Sequence, residues 1–162
     1  MQGIEGNKNR DSERFIHIFG DNLVISVDDM EDKIPIGKIY HCYLKQALPF
    51  YGLSEMVILI DRLMDEMGVS QIDRTYSLDN DCVRRKSKPE PFHNLKDFSD
   101  VHGKYLTFYI KIRYRQHGSW QGEIQFAGNN KKRLFRSVQE MLGYVYNVLE
   151  HSCEIRQGRQ YR

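Results

Sequence analysis

The chain has 162 residues, 40% of them hydrophobic and 28% charged, with a formal net charge of +2. That is enough apolar material for one domain or two small ones with a real core, and it excludes wholesale disorder. The longest apolar run starts at Met56 and stops at Asp61, far short of the roughly 18 residues a membrane span needs.

The small net charge hides a split. Residues 1–70 hold 7 Lys and Arg against 12 Asp and Glu, a balance of −5, while residues 71–162 hold 17 against 10, a balance of +7. Such a split suggests two faces with different partners, or one half screening the other.

In chain order, residues 1–13 read as a polar tail with no apolar stretch of the kind a signal peptide needs, so a cytoplasmic protein in a reducing compartment is expected. Residues 14–69 read as a first folding unit. Its strands are Phe15–Phe19 and Leu23–Val27 around a Gly20-Asp21-Asn22 turn, then Gly37–Leu44 and a short Leu48–Phe50. The acidic stretch Asp28–Asp32 reads as a loop. Helix Ser54–Met67 follows, with its core stripe at Met56, Leu59, Ile60, Leu63, Met64 and Met67, closed by Gly68. Residues 70–104 form a polar linker containing Arg84-Arg85-Lys86-Ser87-Lys88-Pro89-Glu90-Pro91, too polar and Pro-interrupted for a core.

Residues 105–152 read as a second unit. From Leu106 to Arg115 apolar and polar residues alternate, the signature of a half-buried strand. Gln116-His117-Gly118-Ser119 turns the chain into a second strand, Trp120–Phe126, and Gly128-Asn129-Asn130 turns it into a third, Lys132–Phe135. Ser137 with Glu140 forms a capping box for a helix from Val138 to about His151. Residues 153–162 read as a basic tail. Sliding the chain by 85 residues aligns the units without a gap: Gly37-Lys38-Ile39 falls on Gly122-Glu123-Ile124, and the block from Phe50 to Val57 falls on that from Phe135 to Leu142. The expected fold is therefore α+β, with two tandem β-β-(β)-α repeats related by a pseudo-two-fold axis and antiparallel sheet covered by helices.

Catalytic signatures are missing. The chain has no GxSxG elbow, P-loop, HExxH or strand-linked GxGxxG. The six histidines are dispersed. Cys42, Cys82 and Cys153 form no CxxC pair, so neither a disulfide framework nor a zinc site is expected. Glu55 and Glu140, duplicated at helix starts, are explained by capping and the helix dipole. The expectation is a protein that is not an enzyme and needs no cofactor or metal. Two charged surfaces remain as candidate sites. The basic one joins Tyr109, Lys111, Arg113 and Arg115, read as one strand face, with Lys131, Lys132, Arg133 and Arg136. Cations interleaved with aromatics neutralise phosphates and stack on bases. The acidic one is Asp28, Asp29, Glu31 and Asp32. The lone Trp120 reads as core.

The run from Arg113 to Ile124, RYRQHGSWQGEI, followed by Phe135-Arg136-Ser137-Val138-Gln139-Glu140-Met141-Leu142, resembles a set of small proteins from gut clostridia carried on conjugative and other mobile elements. Gly37-Lys38-Ile39-Tyr40 through Glu55-Met56 looks like their other half, so the resemblance spans roughly residues 15–70 and 104–150. That family has no settled activity, and no catalytic residue carries over. A mobile-element context implies an anti-CRISPR type of inhibitor that binds a type II effector nuclease, its acidic surface mimicking DNA or its basic surface gripping guide RNA. The alternatives are a nucleic-acid-binding accessory or regulatory protein of the element, and a protein–protein adaptor.

Overall fold

The computed structural model describes residues 22–67, 91–93, 95–116, 119–129 and 131–160. Among the described residues, six antiparallel strands and two α-helices make an α+β fold: β1 (Leu23–Glu31), β2 (Ile34–Tyr40), β3 (Leu48–Tyr51), α1 (Leu53–Glu66), β4 (Leu106–Gln116), β5 (Ser119–Phe126), β6 (Lys132–Phe135) and α2 (Val138–Gln160). A single turn of 3₁₀ helix, Leu95–Phe98, precedes β4. The strands form one sheet in the order β3-β2-β1-β4-β5-β6, so β1 and β4 pair at its centre.

One face of this sheet is the core. Leu23, Ile25 and Val27 of β1 and Phe108, Ile110 and Ile112 of β4 alternate inward, as period two requires. Met56, Ile60, Leu63 and Met64 of α1, and Met141, Val145 and Leu149 of α2, close over them. Trp120 is buried there too, as its position predicts. Among the described residues no helix is long and apolar enough to cross a membrane.

Two backbone irregularities govern where side chains point. The β1–β2 pairing shifts register between Val27 and Asp29, and the β4–β5 pairing shifts between Ile112 and Tyr114. An inserted residue sends two neighbours to one face and inverts the alternation beyond it. The β1–β2 turn is Asp32-Lys33 with φ of 47° and 68°, a two-residue turn of the type whose twist matches a hairpin.

The acidic stretch expected to be a loop is therefore mostly strand. Asp28, Asp29 and Glu31 belong to β1 and only Asp32 sits in the turn. The bulge scrambled the alternation that would have marked a strand. Two further boundaries move: β2 ends at Tyr40 rather than Leu44, and α2 runs to Gln160, through residues read as a tail. The expected strand Phe15–Phe19, the Gly68 stop and most of the 70–104 linker lie outside the described residues.

The ends of both helices follow a common plan. Glu55 in the first turn of α1 accepts the Tyr51 backbone N–H at 2.7 Å, and Glu140 in α2 accepts the Arg136 N–H at 2.7 Å. Ser137 Oγ accepts the Glu140 N–H at 3.1 Å, half of the expected capping box. The other half is displaced by one residue, because Glu140 reaches past Ser137 to Arg136.

Candidate interaction face

On the face opposite the helices, β4, β5 and β6 present a polar and aromatic surface. The ladder places Lys111 opposite Glu123, and Glu123 opposite Leu134. One row over, Tyr109 is opposite Gln125, and Gln125 opposite Lys132. Beyond the bulge Tyr114 lies opposite Gln121 and is 54% exposed. Tyr109, Lys111, Arg113, Glu123, Gln125 and Lys132 line a shallow cleft of about 170 Å³.

Glu123 is the electrostatic centre of the cleft. Arg113 donates to its Oε1, and Lys132 Nζ lies 3.6 Å from its Oε2. Burial works against its ionisation, but the Arg113 hydrogen bond and the charges of Arg113, Lys132 and Lys111 outweigh that and hold its carboxyl below the usual value. Among the described residues three cations surround this one acid, leaving two unit charges in excess. The Arg113 side chain is 53% exposed and that of Lys132 46%, whereas the Glu123 side chain is 14% exposed.

The expected basic site is thus gathered only in part. Tyr109, Lys111, Arg113 and Lys132 come together. Arg115 does not: the inserted residue at the bulge turns it to the helix side, where it is 3% exposed. There it lies across from Trp120, donates to the Asp61 carbonyl oxygen at 2.8 Å and ion-pairs with Asp61 and Asp65 of α1. Arg133 also faces the helices, with its guanidinium 5.3 Å from the centre of the Tyr144 ring. Lys131 and Arg136 are exposed at either end of β6, outside the cleft. The sequence reading missed Glu123 and the two glutamines, all in strands that it placed; Tyr114, which unbroken alternation puts on the apolar face with Ile112, is turned outward by the same bulge.

The acidic residues are also surface groups. Asp29, Glu31 and Asp32 are exposed, and half-buried Asp28 accepts a hydrogen bond from Ser26 Oγ at 3.2 Å. Among the described residues no group of three or more His, Cys, Asp or Glu side chains is placed to hold a metal. Neither Cys42 nor Cys153 is in a disulfide. A larger groove, about 1230 Å³, lies on the helix side between the β1–β2 turn, the start of α1 and the later turns of α2, and includes Met30, Ile34, Leu53, Tyr146 and Leu149. Its walls combine apolar residues with Asp32, Lys33, Lys104 and Glu150.

No family model matches the chain, and neither a curated protein nor a solved structure matches it.

Proposed function

We propose that this is a non-enzymatic binding protein whose β4–β6 sheet face contacts nucleic acid. The observation that carries the reading is the collection of Lys111, Arg113 and Lys132 between Tyr109 and Tyr114 on the face away from the helices. Cations at that spacing neutralise a phosphodiester backbone, flanking tyrosines offer rings for unstacked bases, and Gln121 and Gln125 offer donors and acceptors to base edges. A single-stranded ligand is the better fit, because a sheet face presents stacking surfaces rather than a helix for a major groove.

The test is binding of a labelled single-stranded oligonucleotide of about 20 nucleotides at salt from about 50 to about 200 mM. Affinity should fall steeply with salt, and Arg113→Gln with Lys132→Gln should weaken it and flatten the slope by about two. Binding that ignores salt and survives both substitutions would remove the sheet face from consideration.

A second reading is an inhibitor of a defence nuclease, of the anti-CRISPR type that the resemblance to mobile-element proteins implies. Its support is the exposed row Asp29, Glu31 and Asp32 on a tight hairpin, a rigid line of negative charge suited to a basic channel. Titration against guide-loaded type II effector separates the two: an inhibitor suppresses DNA cleavage near equal molar amounts and has little affinity for free oligonucleotide.

We also read the chain as a duplicated unit. Support comes from the two bulges, at Val27/Asp29 and Ile112/Tyr114, which lie 85 residues apart. The pairs Gly37–Phe50 and Gly122–Phe135 keep the same offset. Under that reading Asp28 corresponds to Arg113 and Lys38 to Glu123, so the two halves present opposite charges on one face. Only the Asp28–Arg113 pair runs with the split in net charge between the halves; Lys38–Glu123 runs against it.

A further inference from the structure

We propose that Glu123 is the affinity-setting residue of the sheet face: a resident carboxylate that holds Arg113 and Lys132 in the free protein and is displaced from them by a nucleic-acid phosphate. This rests on the nucleic-acid reading above and adds a competing internal anion to it.

Glu123 sits at the middle of β5 between Lys111 on β4 and Leu134 on β6, so its carboxylate has cations on both flanking strands within reach. It accepts from Arg113 and lies 3.6 Å from Lys132 Nζ. These two cations are about half exposed, and each has donors left to give. A carboxylate and a phosphodiester oxygen present the same acceptor chemistry to a guanidinium. A phosphate arriving over the cleft would meet cations already oriented toward an anion, and would have to take them from Glu123.

Two consequences follow. The resident carboxylate lowers affinity for any phosphate, and it favours a ligand able to engage several cations at once over a single free phosphate ion. An extended backbone bridging Lys111, Arg113 and Lys132 replaces the lost pairing at three points, whereas one inorganic phosphate replaces it at one.

Glu123→Gln keeps the shape and removes the charge. The measurement is binding of a single-stranded oligonucleotide of about 20 nucleotides across the salt series, for wild type, Glu123→Gln, Glu123→Asp and the double variant Arg113→Gln/Glu123→Gln. Loss of a unit negative charge in contact with the cations should tighten binding about fivefold and steepen the salt dependence by up to about one. Glu123→Asp should stay near wild type, and the double variant should return toward it. A structural role for Glu123 would move thermal stability and leave this pattern absent.

If wild type binds and Glu123→Gln binds equally or more weakly, the inference is wrong while the sheet-face reading stands. If neither protein binds at any salt, both are wrong. Should the Gln variant fail to fold, Glu123→Thr, a good strand former, reads the same quantity. Failure of both to fold would make the ion pair structural and overturn the proposal.

Discussion

Arg115 reaches from β4 to helix α1, where its guanidinium donates to the Asp65 carboxylate and, at 2.8 Å, to the Asp61 carbonyl oxygen. The Arg115 side chain is 3% exposed, but those of Asp61 and Asp65 are 48% and 60% exposed. Water therefore screens the acids while the arginine stem and fork are enclosed. Most of what the contact contributes is packing of the stem and the carbonyl hydrogen bond, rather than a buried ion pair.

Arg115→Ala should therefore cost about 2 kcal/mol in urea denaturation. At temperatures where the variant stays folded its oligonucleotide affinity should match wild type. Arg113→Gln should show the reverse: stability nearly unchanged, affinity reduced. An Arg115 variant that folds normally but loses nucleic-acid binding would mean the arginine does not sit where the bulge puts it.

The parity of the hairpins explains what could be read from the residues and what was overlooked. In β4 the apolar residues from Leu106 to Ile112 are even-numbered, and so are those of β5 from Trp120 to Phe126. Directly opposed residues share a face, so even positions must oppose even ones. The observed turn pairs Gln116 with Ser119, even with odd. One extra residue between the turn and the core is then required, and it is the bulge between Ile112 and Tyr114. The first hairpin obeys the same rule, with Glu31 opposite Ile34 and Ile25 opposite Ile39. Alternation by itself located β4 and β5 and their apolar faces as far as the bulge. Only pairing parity would have shown that Arg115 leaves the basic face and that Glu123 comes opposite Lys111.

Gly37 and Gly122 are steric requirements of the sheet. A Cβ at Gly122 would lie 2.0 Å from the Lys111 carbonyl oxygen and 2.9 Å from the Phe135 ring; at Gly37 it would lie 1.9 Å from the Ser26 carbonyl oxygen and 2.8 Å from the Phe50 ring. A backbone oxygen in a central ladder cannot give way without breaking the pairing. Gly122→Ala and Gly37→Ala should each destabilise by about 3 kcal/mol or more, read from urea midpoints. A loss under about 1 kcal/mol at either site would refute the close strand approach.

Acid should lower the stability of this protein in part through Glu140. Glu140 is held below its ordinary value of 4.5 by the Arg136 backbone N–H first, then by the Tyr144 hydroxyl. A carboxyl lowered in the folded state adds stability above its unfolded value and loses it as pH falls through the folded one. Melting temperature should therefore drop as pH is lowered from about 5 to about 3. Glu140→Gln should flatten that drop and be slightly less stable than wild type at neutral pH. An unchanged pH profile would show that the helix-start hydrogen bond is absent in solution.

The acidic hairpin offers the sharpest separation of the two functional readings. Asp29→Asn, Glu31→Gln and Asp32→Asn together remove three exposed charges without touching the core. Asn tolerates the left-handed backbone that Asp32 adopts, at φ 47°, so the turn survives; Asp28 is kept because it accepts from Ser26. A sheet-face nucleic-acid binder should bind oligonucleotide as well as wild type or slightly better, since less negative charge repels the ligand. An inhibitor that imitates DNA should instead lose its suppression of guide-directed cleavage while remaining folded. The measurements are oligonucleotide affinity and cleavage on the same preparation. Loss of inhibition with unchanged oligonucleotide affinity would assign function to the hairpin, whereas full oligonucleotide affinity in this variant together with its loss in Arg113→Gln would assign it to the sheet.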